Sequence, residues 1–148
     1  IESPERYASR FIEAGADILT FHLEACKNPS ELLSAIRDEG VMAAISIKPD
    51  TPCEDVYPYL DECDMVLVMT VEPGYGGQAL IPETLEKVRK IKAEILGRGL
   101  STLVQVDGGI NADNAGEAVS AGADILVAGS SVFGKTDRKA AIDELKNS

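Results

Sequence analysis

The sequence predicts an α/β fold, a parallel β-sheet whose strands are joined by helices, and three observations carry that prediction. Short runs of β-favouring apolar residues alternate with stretches of helical periodicity from one end of the chain to the other. The joints between them are short, polar and marked by glycine, which leaves no room for a domain linker or a low-complexity segment. One joint also repeats: Ala14-Gly15-Ala16-Asp17-Ile18-Leu19 recurs as Ala121-Gly122-Ala123-Asp124-Ile125-Leu126, each copy where a helix stops and a strand starts. Glycine suits that point because the residue just past a helix often adopts positive φ, which a Cβ disfavours. Strict alternation implies parallel strands with right-handed crossovers. A chain of 148 residues is enough for one core, so residues 1–148 are read as a single domain.

Residues 1–14 read as a helix with Ser3 as N-cap, Pro4 at the first helical position and Tyr7, Phe11, Ile12 and Ala14 on its buried face. Gly15 ends it, and residues 16–23 form a short apolar strand of the kind buried on both faces. A second helix runs from Asn28-Pro29-Ser30 through Leu32, Leu33 and Ile36 to Gly40, and residues 41–47 are the next strand. Thr51-Pro52 opens a third helix that reaches Leu60 with Pro58 distorting it, and residues 64–71 are the third strand. Pro82 starts a long helix with Leu85, Val88, Ile91 and Ile95 on one face, terminated by Gly97 and Gly99. The fourth strand is Leu103-Val104-Gln105-Val106, running into Asp107. Asn111 then caps a helix that ends at Ala121, and residues 125–129 are the fifth strand. Ser130-Ser131 lead to a short helical turn near Val132-Phe133, and residues 137–146 are the last helix.

Composition narrows the partners. Fourteen Lys and Arg against 25 Asp and Glu leave a net charge of −11, the wrong sign for wrapping nucleic acid or adhering to an anionic membrane, so small molecules are the expected ligands. No apolar run approaches the roughly 18 residues of a membrane span and no signal peptide opens the chain, so a cytoplasmic location is expected. Cys26, Cys53 and Cys63 are odd in number and irregular in spacing, which indicates reduced thiols rather than a disulfide framework or zinc knuckle. A single histidine, His22, excludes a metal site built from several imidazoles of this chain.

Three consecutive strand ends carry the candidate chemistry. Asp107 is a carboxylate at the C-terminal end of a strand, and Gly108-Gly109 after it turn the backbone toward a helix start, the way α/β proteins build sites for anionic ligands; an ordinary turn or cap aspartate has the same look. Val71-Glu72-Pro73-Gly74-Tyr75-Gly76-Gly77-Gln78 packs three glycines around one aromatic, the freedom a loop needs to close over a ligand and exclude water. Gly129-Ser130-Ser131 again joins a strand to a helix start. None of these loops contains Lys or Arg, so a phosphate held there is bound mainly by backbone N–H groups.

At these positions the chain resembles the ribulose-phosphate 3-epimerase family. Met69-Thr70-Val71-Glu72-Pro73-Gly74-Tyr75-Gly76-Gly77-Gln78, Val106-Asp107-Gly108-Gly109-Ile110-Asn111 and Val127-Ala128-Gly129-Ser130-Ser131-Val132-Phe133-Gly134 look like its last three strand ends, and His22-Leu23-Glu24-Ala25 like its fourth strand. The resemblance runs in order over essentially the whole chain. It implies a TIM (β/α)8 barrel, here an incomplete barrel with five parallel strands and its site at the strands' C-terminal ends. It implies a small phosphorylated ketose as substrate, D-ribulose 5-phosphate and D-xylulose 5-phosphate being interconverted through an enediolate in the pentose phosphate pathway. A homo-oligomer is expected, with a divalent metal cation, zinc or else iron, manganese or cobalt. Under that resemblance Asp107 is the catalytic acid–base residue and a metal ligand. Gly74, Tyr75, Gly76 and Gly77 match the mobile substrate loop, Gly108, Gly109, Gly129 and Ser130 the phosphate-binding backbone, and Met69 a pocket-lining methionine.

The same resemblance implies groups that these 148 residues do not contain. The family's second catalytic aspartate, its two metal-binding histidines and a substrate-contacting serine lie on its first three strands, and the sequence matches from just after the third. His22 falls on a position that is not a metal ligand in the family and is expected to serve packing or hydrogen bonding. A (β/α)8 barrel typically needs at least about 200 residues. Two open sheet edges are therefore expected, and the chain by itself is expected to lack epimerase activity. Two further readings share these motifs: an allulose-6-phosphate 3-epimerase, and a non-catalytic phosphosugar-binding fragment that completes its sheet through another chain.

Overall fold

A computed structural model describes residues 1–147. All five strands lie in one parallel sheet in sequence order: β1 (Ile18–His22), β2 (Met42–Ile47), β3 (Met65–Met69), β4 (Leu103–Asp107) and β5 (Ile125–Val127). The α-helices are α1 (Ala8–Glu13), α2 (Pro29–Asp38), α3 (Thr84–Gly97), α4 (Ala112–Ser120), α5 (Ser130–Phe133) and α6 (Arg138–Lys146), with 3-10 turns at Pro4–Arg6, Leu23–Ala25 and Cys53–Tyr59. None of the described helices is long and apolar enough to cross a membrane.

Alternation along the strands separates two faces. Register sets Ile45 beside Val66 and Val66 beside Val104, with Ile47, Val68 and Val106 forming the next row. All six are fully buried, in one cluster with Leu33 and Ile36 of α2 and Val88, Ile91 and Ile95 of α3. This layer is the core. Residues between them point to the other face, where Met69 pairs with Asp107 and Asp107 with Val127 in one row across three strands. The predicted stripe Leu85, Val88, Ile91 and Ile95 is buried as a unit, so the helix that connects β3 to β4 is fixed against the sheet.

Three sequence expectations are corrected. The first helix is broken: Ser3 sits at φ 54 without a side-chain cap, a 3-10 turn follows, and α1 begins only at Ala8. Of its expected buried face only Ile12 packs against the core, half-buried; Tyr7 and Phe11 are 41% and 45% exposed and Ala14 is exposed, while Ala8 is buried. Strand β1 is likewise not enclosed on both faces, only Phe21 being buried, because it is the sheet edge among the described residues. The third helix is 3-10 throughout, Cys53–Tyr59, with Pro58 inside it.

All three cysteines are free. Burial pushes the Cys63 thiol up to about 12, with the nearby Asp64 charge adding to it, and burial also raises Cys26. Cys53 is buried and Cys26 half-buried. A thiol-reactive chromogenic disulfide added to native protein is therefore expected to label Cys26 alone, slowly, with Cys53 and Cys63 appearing only on addition of denaturant.

Candidate active site

Asp107 closes β4, with its side chain on the face away from the helices, half-buried and making no hydrogen bond with any described residue. Burial raises its carboxyl above the ordinary value, which moves it toward taking up a proton. Its backbone is held from β3: the Thr70 N–H donates to the Asp107 carbonyl at 2.8 Å and the Thr70 hydroxyl to the Gly108 carbonyl at 2.6 Å. Thr70 is itself fully buried, so this bracket is rigid.

The turn after Asp107 has its carbonyls tied back and its amides left free. Besides the Thr70 bond to Gly108, the Gly109 carbonyl accepts from the side-chain amides of Asn114 at 2.9 Å and Asn111 at 3.3 Å, and the Ile110 carbonyl from the Ser131 hydroxyl at 2.6 Å. Asn111 and Asn114 also form the capping box that starts α4. The amides of Gly108, Gly109, Gly129 and Ser130 bond to no carbonyl or side chain among the described residues. Convergent free N–H groups with carbonyls turned away make an anion nest without formal charge. Gly108 at φ 127 and Gly109 at φ 68 are the glycines this turn demands. Gly129, at φ −101 with open space where a Cβ would stand, needs glycine for neither reason.

The loop after β3 arches beside this turn. Its Gln78 side chain donates to the carbonyls of Glu72 at 2.7 Å and Tyr75 at 2.9 Å, which pins the loop's two arms together. Gly74 and Gly77 take positive φ and Tyr75 is 74% exposed at the tip. Lys48, at the end of β2, reaches Glu72 at 3.7 Å.

One cavity of about 370 Å³ is lined by all ten residues singled out from the sequence: Met69, Gly74, Tyr75, Gly76, Gly77, Asp107, Gly108, Gly109, Gly129 and Ser130. Asp107 is the only carboxylate among its lining residues. The sequence places Asn114 in the cap of α4, as the structure does, but assigns no role to Thr70, Gln78 and Ser131, which hold the shape. A buried Thr and a Ser bonding to distant carbonyls leave no local signal.

His22 stands apart, three strands away on β1, where its Nδ1 meets Glu24 Oε2 at 3.3 Å. Burial pushes the Glu24 carboxyl up, but hydrogen bonds from the Thr51 hydroxyl and the Lys48 N–H outweigh it and leave the group below its ordinary value. Among the described residues no three His, Cys, Asp or Glu side chains lie close enough together to hold a metal. Asp107 offers a cation one oxygen ligand, and these residues do not complete a metal site among themselves.

The ribulose-phosphate 3 epimerase family matches residues 1–133. The chain is 43% identical over 149 aligned residues to a ribulose-phosphate 3-epimerase of Bacillus subtilis, covering all of this chain and 69% of that protein. It is 46% identical over 146 residues to one of Mycobacterium leprae, covering 99% of this chain and 65% of the relative. The chain thus spans about two thirds of the length of the curated relatives it matches. Among solved structures, a crystal structure of 3-hexulose-6-phosphate synthase superposes with a TM-score of 0.74 at 18% identity, covering 99% of this chain and 68% of that one, which is a likeness of fold.

Proposed function

The chain belongs to the ribulose-phosphate 3-epimerase family, and from that premise we propose that it contributes the phosphate-binding half and one acid–base group of a pentulose-phosphate 3-epimerase. The observation that supports this most directly is the single cavity in which an unpartnered, burial-raised carboxylate adjoins four free amides.

Epimerisation at C3 of D-ribulose 5-phosphate begins with loss of a weakly acidic proton next to the C2 ketone. Asp107 is the group here that takes that proton onto a carboxylate oxygen, leaving an enediolate, or returns one to the same face. The phosphate is held by the N–H groups of Gly108, Gly109, Gly129 and Ser130. The Gly74–Gly77 loop covers the sugar and excludes water, and Met69 forms an apolar floor beside Asp107. A divalent cation, zinc or else iron, manganese or cobalt, would polarise the substrate oxygens, and Asp107 is the one residue of this cavity that would help to hold it.

Inversion requires a second acid–base group on the opposite face, and no other carboxylate lines the cavity. The chain by itself, with zinc added, is therefore expected to give no turnover of D-ribulose 5-phosphate. Combined with the stretch of the Bacillus subtilis relative that lies outside its match to this chain, it is expected to form D-xylulose 5-phosphate. Turnover by the chain alone at the rate of the complete relative would sink the half-site reading. A combined sample that is idle on the pentulose but active on D-allulose 6-phosphate would replace the substrate.

A further inference from the structure

Two aspartates fasten neighbouring strands of this sheet in the same way. Asp64 stands directly before β3; its N–H donates to the Ala43 carbonyl at 2.8 Å and its Oδ2 accepts from the Ala43 N–H at 2.8 Å. Asp124 stands directly before β5 and does the same to Val104, both bonds again 2.8 Å. Ala43 and Val104 are each the second residue of the strand to which the clamp is made, β2 and β4. One aspartate thus satisfies both backbone groups of one residue on a parallel neighbour and fixes the register of the pair.

Asp17 stands in the same relation to β1. It occupies the Asp124 position of the repeated six-residue joint, and the glycines before the two, Gly15 and Gly122, have φ 92 and 109. On the side toward the next strand Asp17 behaves as Asp64 does: its carbonyl accepts from the Met42 N–H at 3.1 Å, as that of Asp64 accepts from the Leu103 N–H at 3.0 Å. On the other side, its N–H and carboxylate bond to no described residue. The same free edge carries Ile1, Tyr7, Phe11 and Ile18, all more than 40% exposed, and an apolar cavity of about 120 Å³ between Tyr7, Phe11, Leu19 and Phe21.

Resting on the reading of this chain as part of a (β/α)8 barrel whose next parallel strand, at the free edge of β1, belongs to the third of the family's length that this chain does not span, we propose that Asp17 is the clamp that sets that strand's register. The Asp17 N–H donates to the carbonyl, and its carboxylate accepts from the N–H, of that strand's second residue, which is therefore not proline. Apolar side chains of the same unit cover Tyr7, Phe11 and Ile18. A parallel strand is specified because both clamps of this kind in the sheet are made to parallel neighbours. Its source is the family's remainder because the relatives exceed the chain by about a third of their own length.

The test is the binding of the purified non-matching stretch of the Bacillus subtilis relative to this chain and to its variants, by titration calorimetry, with no dependence on catalysis. D17A is expected to weaken that binding at least tenfold and D17N to recover part of it through its amide oxygen. The thermal midpoint of the chain alone is expected to stay where it is in D17A but to fall in D64A and D124A. Equal affinity for native and D17A chains, no binding at all, or a D17A chain destabilised as much as D124A would overturn the proposal. Self-association of the native chain that D17A abolishes would also overturn it, by making a second copy the occupant.

Discussion

Asp107→Asn is expected to lower epimerase turnover by about 10³-fold or more in the reconstituted assembly, since it deletes a proton acceptor while keeping size and shape. Substrate affinity is expected to change little, because on the proposed reading the phosphate is held by backbone amides that the substitution leaves in place. Stability is expected to move the other way. Burial raises the Asp107 carboxyl, so the folded state binds its proton more readily than the unfolded chain does. At neutral pH the ionised carboxylate therefore costs stability, and that cost is relieved as pH falls through the folded-state value toward the unfolded one near about 4. Urea midpoints of native and D107N protein are expected to differ at pH 7 in favour of the variant and to converge in acid. Equal midpoints at pH 7 would mean that the carboxylate is better solvated than its setting indicates, and retained turnover would remove Asp107 from the chemistry.

Gly109→Ala is expected to cost about 3 kcal/mol or more, from a left-handed backbone position and from overpacking together. A Cβ there meets the Leu80 nitrogen in hard contact and lies 2.9 Å from Ala79 C and Gln78 O, all backbone atoms that no rotamer change can move aside. The clash is against the far arm of the loop after β3, so the substitution is expected to disturb the loop and the anion nest at once. Gly129→Ala is the matched control, changing the same wall of the cavity at an ordinary φ with open space for the methyl, and it is expected to stay within about 1 kcal/mol of native. Chemical denaturation of the two variants side by side decides the matter: a G109A protein as stable as G129A would show that the turn and the loop are not packed as described.

The β-sheet was legible because each strand is a short, largely apolar stretch bounded by polar turns, and the α3 stripe because 3.6-residue spacing is unambiguous over fourteen residues. What failed was knowledge of the opposing surface. Tyr7 and Phe11 have helical spacing and were expected inside, yet spacing says only that two apolar residues share a face, not that anything lies against it. The site divides the same way. Asp107, its glycines and the loop glycines announce themselves by residue type and position at strand ends. Thr70 and Ser131, which hold the carbonyls of Gly108 and Ile110, act across 38 and 21 residues of chain and carry no local mark.

The tied-back carbonyls of residues 108–110 have a consequence for how an anion arrives. On the proposed reading the nest would hold phosphate with dipoles alone, which act over a few ångströms, while these 148 residues carry −11 and repel a dianion over the Debye length, about 10 Å at 0.1 M salt. Capture on that reading is favoured at contact and discouraged at a distance. Added neutral salt screens the repulsion and leaves the short-range dipoles nearly untouched, so association speeds up with ionic strength where a lysine-lined pocket would slow down.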